Sequence, residues 1–163
     1  MARSFNGIRS IGVISDTHGL VRPEALAALA GSELIVHAGD IGSPGVLQQL
    51  RGVAPVVAIR GNNDRDHWAR AIPETELIDV NGSHIYVLHD VNELDLEPAA
   101  ADINVVIAGH SHKPSIEHHD RVLFLNPGSA GPRRFTLPIT VARLRVEGGA
   151  LHPEIVELKL KPQ

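Results

Sequence analysis

Short runs of β-branched and other apolar residues alternate with helix-forming segments in the first part of the chain. Three of these runs are short and continuous, as is typical of strands buried on both faces: Ile11–Ser15, Leu34–His37 and Val56–Ile59. Two helices are predicted between them from proline near the start and alanine or leucine inside: Pro23–Ala30, and Ser43-Pro44 leading into Val46–Leu50. This alternation predicts βαβ units and a parallel sheet.

The second half of the chain has the pattern of hairpins. Three pairs of apolar runs flank short turn segments: Glu76–Val80 with His84–Leu88 around Asn81-Gly82, Ser115–His119 with Val122–Leu125 around Asp120-Arg121, and Thr140–Val146 with Leu151–Leu160 around Glu147-Gly148-Gly149. A further strand is predicted over Val105–Ala108 and a helix over Leu94–Ala101. The fold class is therefore predicted as α/β, a two-sheet mixed β-sandwich flanked by helices. We expect one domain over residues 1–163.

Composition narrows the function classes. The chain has 163 residues and a net charge of −4, so it lacks the basic excess of a nucleic-acid binder. It has no cysteine, which excludes disulfides, thiolate metal sites and thiol nucleophiles. No apolar run approaches the roughly 18 residues of a membrane span. The first residues lack the apolar core of a signal peptide, so we expect a cytoplasmic protein.

Polar side chains that can bind metals follow the predicted strands directly. Ten histidines are present, and several stand with carboxylates or amides at strand ends. Because the carboxyl ends of strands form the ligand crevice of open α/β sheets, we expect one shared site. Its candidate metal ligands are Asp16, His18, Asp40, Asn62, His89, His110 and His112. Gly39, Gly61 and Gly109 each precede a candidate ligand, where the backbone must turn sharply or approach another group closely.

Seven oxygen and nitrogen donors exceed what one ion needs and suit two ions that share a carboxylate. Without thiolate, such a set suits Mn, Fe, Zn, Ni or Co better than a soft metal. Two ions with the carboxylates of Asp16 and Asp40 and one hydroxide sum to about +1, which would attract an anionic phosphate ester.

The ordered motifs D-x-H, G-D, G-N-x-D, H and G-H-x-H resemble those of the calcineurin-like metallophosphoesterase superfamily. The short chain, Gly61-Asn62-Asn63-Asp64, and Asn126 to Ser129 followed by Pro132-Arg133 resemble the small YfcE-type phosphodiesterase family, which is related to the retromer subunit Vps29. The resemblance covers residues 10 to about 134. It implies a four-layer α/β/β/α arrangement and a dinuclear phosphoesterase, with a diester as the favoured small phosphorylated substrate.

The resemblance also implies a role for each ligand. Asp16, His18 and His112 would bind the first ion, Asn62, His89 and His110 the second, and Asp40 both. A metal-bridging hydroxide would be the nucleophile, with Asn62 and His110 contacting the phosphate. Manganese is the expected metal, with Fe, Zn, Ni, Co or Mg as alternatives. A homo-oligomer, either dimer or tetramer, is implied as well.

Two positions depart from the family pattern. Asn63 stands where relatives with Gly-Asn-His-Asp have a histidine, and an amide cannot act as an acid toward a leaving group. This favours substrates with good leaving groups and gives Asp64 a structural role. Asp90 stands where the family commonly has glycine. Its carboxylate would either repel substrate or accept a hydrogen bond from a ligand histidine.

Several other polar residues have simpler interpretations. His37 is predicted to be a core histidine, and His118 and His119 surface residues. Arg133 and Arg134 are interpreted as exposed loop charges, although a guanidinium suits phosphate. Asn126–Ser129 is expected to shape the loop beneath the metals. The specificity loops are expected around Leu20–Arg22, Arg65–Arg70 and Asp90–Leu96.

Two other functions remain open from the sequence. One is a Vps29-like protein-interaction module that retains the metal site and is catalytically weak. All seven ligand positions carry ligand-capable residues, which argues against loss of the site. The other is a mononuclear hydrolase of a different ester, which the number of bound ions would distinguish.

Overall fold

The β-branched runs form two mixed sheets in the computed structural model, which describes residues 2–160. The five-stranded sheet has the order β11-β10-β2-β3-β4 and the six-stranded sheet the order β1-β5-β6-β7-β9-β8. The strands are β1 (Arg3–Phe5), β2 (Ser10–Ile14), β3 (Leu34–His37), β4 (Val56–Ala58), β5 (Thr75–Val80), β6 (Ser83–Leu88), β7 (Val105–Ile107), β8 (Ser115–His119), β9 (Val122–Asn126), β10 (Thr140–Glu147) and β11 (Ala150–Glu157). The predicted two-sheet α/β fold is confirmed.

The main core lies between the two sheets. Alternate residues of most strands point into it, including Ile11 and Val13 of β2 and Ile85 and Val87 of β6. All four are completely buried. At about 1.5–3 kcal/mol for each large apolar side chain, this layer supplies the main stabilisation that holds the two sheets together.

Helices α1 (Pro23–Leu29) and α2 (Pro44–Arg51) cover the outer face of the five-stranded sheet. They bury Ile14 and Ile35, the strand positions that alternate with the main core, against Leu29 and Leu50. Strands β2 and β3 are thus covered on both sides, which is why their sequences are continuously apolar. Because a side chain at Gly12 would collide with Leu29 and Ser32, glycine there lets α1 approach the sheet.

The three predicted hairpins are confirmed, and their turns have the expected geometry. Asn81-Gly82, Asp120-Arg121 and Gly148-Gly149 join β5 to β6, β8 to β9, and β10 to β11. Both residues of each turn have positive φ, from 49° to 91°. This is the type I′ conformation, whose twist matches that of the strands.

The helix predicted over Leu94–Ala101 is wrong. A 3-10 turn occupies Val91–Glu93, and the following residues form irregular turns. Pro98 has no N–H and disfavours the helical conformation at Glu97, so only one turn forms beyond it. Leu94 and Leu96 nevertheless pack on the outer face of the six-stranded sheet and cover it without an α-helix.

Strand β1 was not predicted, because three largely exposed residues show no clear alternation. It pairs in parallel with β5 at the edge of the six-stranded sheet. Over residues 2–160, no helix combines the length and the apolar character needed to cross a membrane.

Candidate metal centre

The candidate ligands lie in loops that follow the carboxyl ends of five strands. Asp16 follows β2, Asp40 follows β3, Asn62 follows β4, His89 follows β6, and His110 follows β7. Backbone hydrogen bonds join neighbouring loops, since Asp16 N–H donates to Gly39 O and Gly109 N–H donates to His89 O, both at 2.9 Å. The two sheets therefore present these loops at one edge of the sandwich.

Many of the candidate ligands have an unusual backbone conformation. Asp16, His18, Asp40, His110 and His112 all have φ between 47° and 70°. Residues other than glycine rarely adopt this left-handed region, which costs roughly 1–2 kcal/mol for each of them. Such conformations cluster at functional sites, where the surrounding structure holds a side chain in a required direction.

The first group of ligand atoms belongs to Asp16, His18 and His112. One ligand atom from each lies within 4.8 Å of the other two. His112 Nε2 is 3.4 Å from Asp16 Oδ1, and both of these residues are buried. His18 is more exposed and forms the solvent side of the group.

A second group joins Asp16, Asp40 and His89 within the same distance limit of 4.8 Å. His89 Nε2 is 3.3 Å from Asp40 Oδ2 and 3.8 Å from Asp16 Oδ1. Asp40 Oδ2 also lies 3.8 Å from His18 Nε2. One oxygen of Asp40 therefore faces a histidine of each group, and Asp16 contributes to both.

Asn62 and His110 stand at the edge of this arrangement. The His110 ring lies 5.1 Å from the His89 ring, centroid to centroid, but outside both groups of the described residues. Both Asn62 and His110 are exposed and line a cavity of about 470 Å³ beside His89. The structure thus brings five candidate ligands together and places the remaining two at an adjacent wall.

Hydrogen bonds leave one oxygen of Asp16 free. Asp16 Oδ2 accepts from Ser15 Oγ at 2.7 Å and from His110 N–H at 3.1 Å, and the backbone carbonyl of Asp16 accepts from Ser129 Oγ. Asp16 Oδ1, which faces His89 and His112, has no hydrogen-bond partner within residues 2–160. The bond from Ser129 accords with the expectation that Asn126–Ser129 shapes the loop beneath the metals. The role of Ser15 was not specified by the sequence, because a serine beside a motif carries no pattern of its own.

The unpartnered buried atoms of the described chain concentrate in this site. Asp16 Oδ1, His89 Nε2 and His112 Nδ1 are three of the five such side-chain atoms in residues 2–160. Leaving a buried polar group unpaired costs about 1–3 kcal/mol, so each calls for a partner. Carboxylate oxygen and imidazole nitrogen are ligands for divalent transition ions, and the residues present therefore fit a metal.

The two central carboxylates are in the charge state that binds a cation. Burial by itself raises the pKa of Asp40, but the adjacent His89 and the Asn63 N–H hold the pKa well below its usual range. Burial likewise raises the pKa of Asp16, but hydrogen bonds with His112 and Ser15 and the nearby charge of His89 together hold it below its usual value. Burial lowers the pKa of His89, whereas Asp40 and Ala38 O raise it to about 9. Both carboxylates are ionised at neutral pH, the form that binds a cation. His89 is protonated at that pH in the metal-free protein and must release its proton before it binds an ion.

Asp64 ties two of the site loops together, in agreement with its predicted structural role. Its carboxylate accepts from the N–H groups of Ile41, Gly42 and Gly61 at 2.8–3.1 Å. The first two follow Asp40 and the third precedes Asn62. The Asp40 loop and the Asn62 loop therefore share one buried anion.

Gly61 and Gly109 permit the close approach that the sequence predicted. A side chain at Gly61 would overlap the Asp40 backbone and carboxylate. One at Gly109 would overlap Ser15 Oγ and approach Asp16 Oδ2 to 2.6 Å. Any larger residue would displace the two central aspartates.

Asp90 lies beside the candidate ligand His110. Its Oδ1 accepts from Asn92 N–H at 3.0 Å and so starts the 3-10 turn, while its Oδ2 is 3.7 Å from His110 Nε2. It also lines the 470 Å³ cavity. Asp90 is thus placed to affect both His110 and whatever enters the cavity.

The remaining predicted residues lie where the sequence indicated. His37 is completely buried, with Nδ1 accepting from Gly39 N–H and Nε2 bonded to Thr17 Oγ1. His118, His119, Arg133 and Arg134 are exposed. Asn126 Nδ2 donates to Gly109 O and Ser111 Oγ, which shapes the loop that carries His110 and His112.

Comparison with known proteins agrees with this geometry. Residues 10–149 match the model of the calcineurin-like phosphoesterase superfamily domain. A probable metallophosphoesterase of Methanothermobacter thermautotrophicus is 37% identical over 158 residues, which cover 90% of this chain and 91% of the relative. The sequence match therefore extends over most of both proteins.

Solved structures share the fold over nearly the whole chain. An archaeal phosphodiesterase has a TM-score of 0.74 at 25% identity, covering 90% of this chain and 99% of its own. Vps29 of Chaetomium thermophilum has a TM-score of 0.74 at 18% identity, covering 92% and 97%. The E. coli phosphoesterase YfcE has a TM-score of 0.65 at 18% identity, covering 92% and 100%.

The likenesses to Vps29 and YfcE, both at 18% identity, concern the fold alone. The family match and the Methanothermobacter relative are matches of sequence. They agree with the order of the five motifs and with the grouping of aspartate and histidine at one edge of the sandwich. On this evidence the chain belongs to the calcineurin-like phosphoesterase superfamily.

Proposed function

We propose that the protein is a dinuclear metal-dependent phosphodiesterase. The observation that carries this proposal is that the two ligand groups adjoin each other. They share Asp16, and Asp40 Oδ2 faces His18 on one side and His89 on the other. Adjoining sites with a common carboxylate suit two ions about 3.5–4 Å apart.

The proposed ligands follow from this arrangement and the family motifs. Asp16, His18 and His112 hold one ion, and Asn62, His89 and His110 hold the other, with Asp40 between them. Mn²⁺ is the proposed ion, and Fe, Zn, Ni, Co and Mg are alternatives, because this mixture of oxygen and nitrogen donors admits several transition ions. Asn62 and His110 reach the ion from the exposed cavity wall, where substrate enters.

The chain's own residues position the phosphate. Bound divalent ions lower the pKa of water and offset charge on a phosphoryl group. Asn62 coordinates through its amide oxygen and leaves its NH₂ to donate to a phosphate oxygen. His110, exposed beside His89, contacts the same phosphate. Both are the proposed catalytic residues.

A diester is the proposed substrate because the site has no acid at position 63. Asn63 cannot give a proton to a departing oxygen, so a leaving group of low basicity is favoured. A diester also carries one negative charge rather than two. The solved archaeal relative of the same fold is itself described as a phosphodiesterase.

Metal counting and turnover test the proposal together. Metal-stripped protein is refilled with Mn²⁺, its ions are counted by mass spectrometry, and bis(p-nitrophenyl) phosphate is supplied. We expect two ions per chain and turnover. Asp40→Asn should lower activity at least about a hundredfold, since even outer partners of metal ligands cost 10- to 100-fold. Asp120→Asn, in an exposed hairpin turn, is the matched control.

Different results point to different functions. One ion per chain supports a mononuclear hydrolase instead. Two ions without turnover for any of Mn, Ni, Co, Zn or Mg support the Vps29-like interaction module. Asn63→His tests the diester preference, because an added acid should raise activity toward esters with poor leaving groups more than toward bis(p-nitrophenyl) phosphate.

A further inference from the structure

The 470 Å³ cavity is continuous with the candidate metal centre. Asn62, His89 and His110 form its wall toward the ions. His89 is only 7% exposed, and its Nε2 has no hydrogen-bond partner within residues 2–160. That nitrogen belongs to the metal centre, 3.3 Å from Asp40 Oδ2. The exposed Asn62 and His110 belong to both the candidate centre and the cavity lining, so a ligand held at the ions would extend into the cavity.

The far side of this cavity is acidic. Glu74, Asp90, Glu93 and Asp95 line it, against the single guanidinium of Arg60. Arg60 is already paired with Glu74, at 3.1 Å. In the part of the chain that the structure describes, no basic side chain lies within 4.0 Å of the carboxylate of Glu93 or Asp95. The cavity therefore has an excess of negative charge beside a site that binds an anion.

Tyr86 and Leu88 add an aromatic and an apolar side chain to the cavity lining. Tyr86 and Leu88 lie two residues apart on β6, so both side chains face the same side of the sheet. Both belong to the cluster on the outer face of the six-stranded sheet, and Tyr86 is only partly buried. A tyrosine ring among carboxylates can attract a quaternary ammonium group.

We infer that the cavity receives one ester arm of the diester and that this arm carries a cationic ammonium group, of the choline or ethanolamine type. The inference rests on the proposed function, which places the phosphate at the ions. Carboxylates and Tyr86 attract the cation, while the same carboxylates repel an arm that carries a further phosphate. The substrate is thus zwitterionic, with its anionic and cationic parts held by adjoining sites.

Two substrates that differ in one atom test this inference. p-Nitrophenyl phosphorylcholine and p-nitrophenyl 3,3-dimethylbutyl phosphate have the same leaving group and the same shape, but carbon replaces the charged nitrogen in the second. We expect the Mn²⁺-loaded protein to favour the first by about tenfold in kcat/KM, the combined effect of two weakly screened carboxylates and one aromatic ring. Added salt should reduce the preference.

Substitutions in the cavity lining test whether its carboxylates cause the preference for the cationic substrate. Glu93→Gln with Asp95→Asn should lower the ratio of the two kcat/KM values several-fold, leaving the smaller contribution of Tyr86. Glu97→Gln, in the same loop but outside the cavity lining, should leave the ratio as it is in the unmodified protein. Because each ratio is measured within one protein preparation, differences in metal loading cancel.

The outcomes separate this inference from the proposed function. Equal turnover of both substrates, or a preference that is undiminished in the double variant, overturns the inference and leaves the phosphodiesterase intact. If neither substrate is hydrolysed, the phosphodiesterase fails, and calorimetry with phosphocholine and 3,3-dimethylbutyl phosphate tests the cavity directly. Phosphocholine binding no tighter than its neutral counterpart then overturns the inference as well.

Discussion

Asn63 holds the carboxylate of Asp40 at both oxygens. Its backbone N–H donates to Oδ1 at 2.9 Å, and its side-chain Nδ2 donates to Oδ2 at 3.0 Å. Oδ2 is also the oxygen that faces His18 and His89. The residue that departs from the family's histidine therefore orients the aspartate that we propose lies between two ions.

Asn63→Ala should weaken metal binding. The substitution removes the Nδ2 hydrogen bond and lets Asp40 rotate, and loss of an outer partner of a ligand typically costs about 10- to 100-fold in metal affinity. Competition with a chromogenic chelator measures the effect. Asp66→Ala, an exposed residue whose side chain does not cap the following 3-10 turn, is the control. Unchanged affinity in Asn63→Ala would show that the hydrogen bond does not position the carboxylate.

Asp64→Asn should destabilise the fold of the metal-free protein by about 2 kcal/mol. The buried carboxylate accepts three backbone hydrogen bonds, and hydrogen bonds to a charged group contribute about 1.5–3 kcal/mol each. An amide can accept through only one of its two ends. Urea unfolding in the presence of chelator measures the change, with the exposed neighbour Asp66→Asn as control. Equal midpoints for the two variants would contradict the proposed role.

His37 should make the protein less stable in acid. Burial lowers its pKa to about 4, although nearby aspartates oppose the shift. Its Nδ1 accepts from Gly39 N–H, which a protonated ring cannot do. Between pH 6.5 and about 4 the unfolded chain takes up a proton at this residue and the folded chain does not. Stability therefore falls as pH decreases through this range, by about 3 kcal/mol at most, and His37 contributes no further loss below it.

Comparison with His37→Gln isolates this contribution. Unfolding free energies of both proteins are measured at pH 7 and pH 4.5 in the presence of chelator. The variant should be less stable than the unmodified protein at pH 7 but lose less on acidification. Parallel pH dependence in the two proteins would mean that another group causes the acid sensitivity.

Gly109→Ala should impair metal binding while leaving most of the fold in place. The added methyl group would collide with Ser15 Oγ and approach Asp16 Oδ2 to 2.6 Å, so Asp16 must turn away from the site. We expect at least a tenfold loss of Mn²⁺ affinity, on the scale of losing an outer partner of a ligand. Gly45→Ala is the matched control, because its nearest neighbour would be Ser43 Oγ at 3.7 Å. Similar affinities in both variants would refute the argument.

Local pattern in the sequence was enough to predict much of the fold. Short runs of apolar residues marked most of the strands, and Asn81-Gly82 marked a hairpin, because strand burial and turn conformation leave a local signal in the sequence. Helix α1 began at Pro23 as predicted. The ordered motifs after the strands also named the seven candidate ligands, since parallel strands must end at a common edge.

Only the tertiary structure determined which distant segments and side chains are neighbours. The pairing of β1 with β5 and of Asn63 with Asp40 joins segments separated in the sequence, and no local period encodes such partners. Leu94 and Leu96 pack on the outer sheet face without a helix, because Pro98 prevents one and burial of leucine needs none. The acidic cavity likewise combines the Arg60 loop, β6 and the Asp90 loop. The sequence by itself determined the elements and the donor atoms, whereas long-range packing determined which charges meet.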